Sequence, residues 1–183
     1  MTPCLTIADA FSPQDCADLV ALAAGAALRD AALVGKATNH GIRRADLVWV
    51  DDLPDSDWVM ARLIGVVAEA NRAGYTFDLS EFAESAQIAR YGAERQGHFD
   101  WHSDIGAGAL ASRRKLTVVV QLSDPATYRG GGLELRPDSA IIDASPDLGT
   151  ATVFPSFVLH RVTPVTEGVR WSLTLWAHGP AFR

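Results

Sequence analysis

The sequence predicts an α+β, mainly β protein: a double-sheet jelly roll with N-terminal helices packed on one sheet. Three observations carry that expectation. Apolar residues recur at helical spacing in the first part of the chain, up to about residue 84. Beyond it the pattern changes to about eight short β-favouring runs separated by proline and glycine punctuation. No repeat, low-complexity stretch or Pro/Ser-rich linker interrupts the 183 residues. They therefore read as one domain, 1–183, with a helical part at about 1–84 and a jelly-roll core at about 85–178.

The first helix has a start signal in Ser12, with Pro13 at the first helical position and Asp15 completing a capping box. Cys16, Leu19, Val20 and Ala23 form its apolar stripe, and Gly25 stops it. A strand is expected over 42–50, ending in the β-favouring Leu47, Val48, Trp49 and Val50. A second helix begins near Pro54 and Asp55, carries Val59, Leu63, Val66, Val67 and Ala70 on one face, and ends at Gly74. Strands then follow at 85–91, 98–104, 115–122, 133–135, 140–143, 151–154, 157–162 and 169–177. Pro125, Gly130, Gly131, Gly132, Pro137, Pro146, Pro155 and Pro164 punctuate them.

Composition narrows the function classes. Hydrophobic residues make up 48% and charged residues 21%, which fits a chain that buries a core. The net charge of -6 argues against nucleic acid or a membrane surface as partner. No run approaches the ~20 apolar residues of a membrane helix, and the first residues lack a signal-peptide pattern. Cys4 and Cys16 form no CxxC pair and read as free thiols. A cytoplasmic location is the expectation.

The segment 97–104 is rich in metal ligands. On a strand, residues i and i+2 face the same way, so His102 and Asp104 aim an imidazole and a carboxylate at one point. His160, in an apolar strand context, supplies a second imidazole; alone it would read equally as a core histidine with a hydrogen-bonded ring. Two histidines and one carboxylate make a facial triad that favours iron(II) and leaves coordination positions open. Ten residues on, Arg170 lies on the next strand. A buried strand arginine needs an anion, either the far carboxylate of a dicarboxylate ligand or one of the chain's 22 acidic residues. His98 and Asp100 form a competing pair that faces the same way as His102 on a regular strand. On a regular 115–122 strand, Thr117, Val119 and Gln121 share one face. The glycine triplet lacks the lysine and helix of a phosphate loop. Arg113, Arg114 and Lys115 read as a solvated turn or a contact to an acidic substrate. His40 reads as a loop residue, His178 as structural or exposed, and Trp49 and Trp101 as half core, half site wall.

Taken in order, Tyr91, Phe99, His102-Ser103-Asp104, Gln121-Leu122-Ser123-Asp124, Gly131-Gly132-Leu133-Glu134-Leu135, His160 and Arg170 resemble the 2-oxoglutarate/Fe(II)-dependent dioxygenases, specifically the compact prolyl-4-hydroxylase-like group. The resemblance covers about residues 85–178. It implies a double-stranded β-helix, or distorted jelly roll, with the metal at its mouth. It implies His102, Asp104 and His160 as iron ligands, favouring the second HxD pair because Phe99 precedes His102 by three residues. Arg170 would grip the 5-carboxylate of 2-oxoglutarate, and Tyr91 would hydrogen-bond this co-substrate. Gln121 stands where relatives often place a tyrosine beside it. The implied cofactors are Fe(II), 2-oxoglutarate and O2, with succinate and CO2 released as an unactivated C–H bond is hydroxylated. The implied substrate is a small-molecule amino acid or a peptide or protein, prolyl residues among them. Arg43 and Arg44, in a 36–46 segment, would form part of a cover over the site; with 105–113, this segment would carry substrate recognition. Two other readings stay open: a cupin-like metal-dependent enzyme that does not use 2-oxoglutarate, and a non-catalytic ligand-binding jelly roll.

Overall fold

The computed structural model describes residues 2–31, 39 and 41–182. Expectations for His40 and for 36–38 lie outside the described residues. Strand β1 (Leu5–Ile7) precedes helix α1 (Pro13–Gly25), and strands β2 (Arg29–Asp30), β3 (Arg43–Arg44) and β4 (Asp46–Trp49) precede helix α2 (Asp57–Ala70). The remaining strands are β5 (Gln87–Gly92), β6 (His98–His102), β7 (Arg114–Gln121), β8 (Arg129–Gly130), β9 (Leu133–Arg136), β10 (Ile142–Asp143), β11 (Ala151–Pro155), β12 (Leu159–Val162), β13 (Val165–Glu167) and β14 (Val169–His178). They form a major sheet in the order β1-β11-β7-β14-β5-β4-β2 and a minor sheet in the order β10-β9-β12-β6-β3, with β13 and β8 paired separately.

Side-chain alternation builds three layers. From β7, Leu116, Val118 and Val120 pack with Leu173, Leu175 and Ala177 of β14 against Cys16, Leu19, Val59, Leu63 and Val67 of the two helices. The helices thus cover one face of the major sheet. The alternate residues turn to the minor sheet: Val119 packs with Leu133, Leu135, Phe154 and Val158. This is the half-buried helix stripe and the two-residue strand period acting together. Helix α1 starts where its capping box predicts, with the Ser12 hydroxyl accepting from Asp15 N and the Asp15 carboxylate accepting from Ser12 N.

Several expectations are corrected. The N-terminal part is not wholly helical: β1 is an edge strand of the major sheet, paired with β11. The strand expected over 42–50 is two strands in different sheets. β3 pairs with β6 and β4 with β5, and the chain crosses between them at buried Ala45. Helix α2 gives way at Asn71 to one wider turn ending at Tyr75, because Asn71 donates to Phe77 O and accepts from Phe77 N. The strand expected over 98–104 stops at His102, so Asp104 lies in the bend beyond it. Arg114 and Lys115 are buried on β7 rather than solvated. The glycine triplet is a backbone device: Gly131 has φ +66, and a Cβ there would stand 3.0 Å from Arg170 Cδ.

Candidate active site

The two imidazoles reach one point because their strands are neighbours in register. His160 on β12 is the pairing partner of His102 on β6. Three residues of β12, from His160 to Val162, face four of β6, from His102 to Phe99. That extra residue is a β-bulge, and it shifts the side-chain alternation. His102 therefore shares the inner face with Phe99, on which it stacks at 3.4 Å between ring centres. His98 and Asp100 fall on the opposite parity. His98 bonds the carbonyls of Gln96 and Gly41, and Asp100 is exposed, accepting from Trp101 N. The regular-strand expectation that these two point with His102 is thus overturned by the bulge.

Asp104 is brought in by the bend after β6. Its backbone N–H donates to Ser156 O at 2.9 Å and its carbonyl accepts from Arg114 Nη1 at 3.0 Å. The carboxylate accepts from Thr117 Oγ1 at 2.8 Å, and Ser156 Oγ lies 3.0 Å from that hydroxyl. The result places Asp104 Oδ1 3.6 Å from His102 Nε2 and Asp104 Oδ2 3.5 Å from His160 Nε2. Ligand atoms of His102, Asp104 and His160 all lie within 4.8 Å of one another, and no other such group occurs among the described residues.

The protonation pattern suits a cation. Burial pushes the His160 imidazole down to about 4, against the pull of Asp104 beside it, so the ring is neutral near neutral pH. Its Nδ1 faces Val158 O at 3.0 Å, and His102 Nδ1 faces Asp100 O at 2.7 Å. A carbonyl only accepts, so each Nδ1 carries a proton, and on the neutral His160 ring Nε2 presents a lone pair to the centre. Burial resists the charge of Asp104, but the neighbouring His160 and His102 hold it below the usual carboxylate range.

Opposite this group, on the inner face of the major sheet, Arg170 is fully buried. Its Nε and Nη2 donate to Gln121 Oε1 at 3.2 and 2.9 Å, and Nη1 has no hydrogen-bond partner. No carboxylate neighbours it among the described residues; Tyr91 and Tyr128 do. Tyr91 pairs with Arg170 across β5 and β14, its ring centre 5.4 Å from the guanidinium. The salt-bridge alternative for Arg170 therefore finds no acid. A buried cation with an orphaned N–H is costly unless an anion faces it, which fits the far carboxylate of a dicarboxylate ligand. Gln121 is placed as the acceptor that orients Arg170.

Reasoning from residues missed Thr117, Ser156, Arg114, Tyr128 and Trp176. Thr117 shares a face with Gln121, which was its only signal in the sequence. Arg114 ties the Asp104 carbonyl to Glu84, which also accepts from His178 Nε2 at 2.9 Å. That makes His178 structural. The indole N–H of Trp176 is buried beside Asp104 without closing to a hydrogen bond.

The chain is similar to known proteins in sequence and in fold. A family profile described as "2OG-Fe(II) oxygenase superfamily" matches residues 86–178. A PKHD-type hydroxylase from Nitrosomonas eutropha is 28% identical over 156 residues, covering 81% of this chain and 68% of that protein. A probable prolyl 4-hydroxylase 7 from Arabidopsis thaliana is 32% identical over 139 residues, covering 62% of this chain and 44% of its own length. The chain thus spans about two thirds of the first relative and less than half of the second. The crystal structure of a Pseudomonas putida prolyl-4-hydroxylase superposes with a TM-score of 0.77 at 24% identity, over 97% of this chain and 93% of the other.

Proposed function

The chain belongs to the 2OG-Fe(II) oxygenase superfamily, and on that footing we propose that it hydroxylates an unactivated C–H bond of an amino-acid substrate, free or within a peptide, with a prolyl ring as the preferred target. The enzyme is an oxygenase whose cofactors are Fe(II), 2-oxoglutarate and O2. One observation carries the reading: a two-histidine, one-carboxylate group, its Asp104 and His160 buried, lies between the same sheets as a buried arginine that has no acid among the described residues. A cupin-like enzyme without 2-oxoglutarate would leave Arg170 unexplained. The prolyl preference is supported by the likeness to the Arabidopsis probable prolyl 4-hydroxylase and to the Pseudomonas putida prolyl-4-hydroxylase.

When bound, Fe(II) would activate O2, the oxidant, one of whose oxygen atoms would enter the substrate while the other oxidises 2-oxoglutarate to succinate and CO2. The chain supplies everything else. His102 and His160 would hold the metal through Nε2, and Asp104 through its carboxylate, with charge that offsets the cation's. Thr117 and Ser156 fix the rotation of that carboxylate. Arg170 would bind the far end of 2-oxoglutarate, held in place by Gln121 and flanked by Tyr91 and Tyr128. The packed strands around Val119, Leu135 and Phe154 exclude water beneath the site.

Anaerobic addition of Fe(II) and 2-oxoglutarate to the metal-stripped protein should give a weak visible absorption that His160→Ala lacks. Under air, incubation with prolyl peptides and free L-proline should yield succinate together with a product heavier by one oxygen atom. Succinate without any hydroxylated product in a wider amino-acid panel would remove the substrate assignment. Absence of the absorption would remove the metal assignment.

A further inference from the structure

Among the described residues, Arg43 has no acid either. The other described arginines that are wholly or partly shielded from solvent find acceptors: Arg90 and Arg95 pair with Asp46, Arg113 with Glu81, Arg114 with Glu84 and Arg161 with Glu134. Arg44 donates to Arg95 O. Arg43 and Arg170 are the two exceptions, and both belong to the interior between the sheets. Arg43 is half-buried, and its Nε is buried with no hydrogen-bond partner. Residues 32–38 and 40, next to it in sequence, contain no Asp or Glu that could pair with it.

Its position is set by register. Arg43 on β3 pairs with Phe99 on β6, so it shares the inner parity that the bulge gives to His102. The Arg43 guanidinium carbon lies 4.5 Å from the Phe99 ring centre. His102 takes Phe99's other face, nearly parallel at 11°. Arg43, Phe99 and His102 thus form a column with the proposed metal ligand at one end and a guanidinium at the other. A cation over an aromatic face is stabilised modestly, but that leaves its N–H donors unused. A fork of unused donors one ring beyond the metal site matches a planar oxyanion presented beside a C–H bond that the site could reach.

We propose that Arg43 binds the α-carboxylate of the substrate, making this an oxygenase for a free amino acid or for the C-terminal residue of a peptide. This rests on the oxygenase reading above and narrows its substrate class. An internal peptide residue presents an amide in that place, which would leave the guanidinium unpaired and lower the rate through lost binding.

The test uses the Fe(II)-loaded full chain with saturating 2-oxoglutarate and follows succinate. The probes are the twenty common free L-amino acids, their C-terminal amides, and proline-containing peptides with a free, an amidated or a fully blocked end. At least one free acid should raise succinate formation above the substrate-free rate. Free acids and free-ended peptides distinguish the two carboxylate sources. The matching amide should show a KM about tenfold or more higher. Arg43→Gln should raise the KM for the acid to that of the amide without changing the anaerobic 2-oxoglutarate absorption, and Arg43→Lys should recover part of the preference. Equal turnover of blocked peptides and free acids overturns the proposal. So does a set in which no carboxylate-bearing probe stimulates turnover, or an Arg43→Gln variant with an unchanged KM for the acid. Loss of the 2-oxoglutarate absorption in the parent protein sinks the oxygenase reading instead, so the two failures are distinguishable.

Discussion

His160 is held uncharged by burial, and that has a consequence for stability. Its imidazole falls from an ordinary 6.5 to about 4 in the folded chain. Between those values the unfolded chain binds the proton and the folded one does not, so stability falls as pH falls through that window and is full above 6.5. In metal-stripped protein, denaturant unfolding should show this loss between about pH 6.5 and pH 4. His160→Gln should flatten the curve there, and an equally steep loss in the variant would assign it to other groups. Gln121 makes a second prediction at this scale. It accepts twice from Arg170, so Gln121→Leu should loosen the guanidinium and raise the KM for 2-oxoglutarate about tenfold, with the Fe(II) affinity unmoved. An unchanged KM would show that packing alone orients Arg170. The chemistry of His102, Asp104, His160 and Arg170 was legible in the sequence because few residue types can do their jobs. Thr117 and Ser156 were not, since a hydroxyl's partner depends on which strand lies opposite.

Elements decide which of two similar motifs forms the site. A regular β6 would turn His98, Asp100 and His102 the same way. The bulge opposite β12 breaks that alternation, so His102 faces inward with Phe99 while Asp100 is left exposed. Titration of metal-stripped protein with Fe(II) should therefore find His98→Ala and Asp100→Ala within a few-fold of the parent, as surface changes generally are, and His102→Ala without measurable binding. The reverse ranking would mean that the first pair holds the metal. A bulge leaves no mark in composition, which is why, in the sequence, only the resemblance to a family favoured the second pair. Helix α1, by contrast, was legible to its first residue because the Ser12 and Asp15 cap is a local pattern. The 42–50 run misled for the opposite reason. No proline or glycine breaks it, and the crossing from one sheet to the other at Ala45 is dictated by which strands lie alongside.

Across the whole molecule, stability and chemistry occupy different layers. The helices and the outer face of the major sheet share one large apolar cluster, whereas the space between the sheets holds Asp104, His160 and Arg170. Arg170 is the clearest cost of that division, a fully buried cation resting on one amide oxygen and two tyrosines. Replacing a buried ionic group with an apolar side chain of similar volume is often neutral or stabilising by about 1–4 kcal/mol, provided no partner is orphaned. The double variant Arg170→Met/Gln121→Leu removes both donor and acceptor together. Without metal or 2-oxoglutarate, it should melt at or above the parent temperature, where each kcal/mol is worth about 2–4 °C. Anaerobic Fe(II) together with 2-oxoglutarate should stabilise the parent by an Fe(II) share plus about 2.7 kcal/mol for 2-oxoglutarate at about a hundred times its Kd. The variant should lose the 2-oxoglutarate share of that shift and keep the Fe(II) share, because His102, Asp104 and His160 are untouched. A variant that melts well below the parent yet keeps the full 2-oxoglutarate shift would make Arg170 a scaffold residue and place the co-substrate's far carboxylate elsewhere between the sheets.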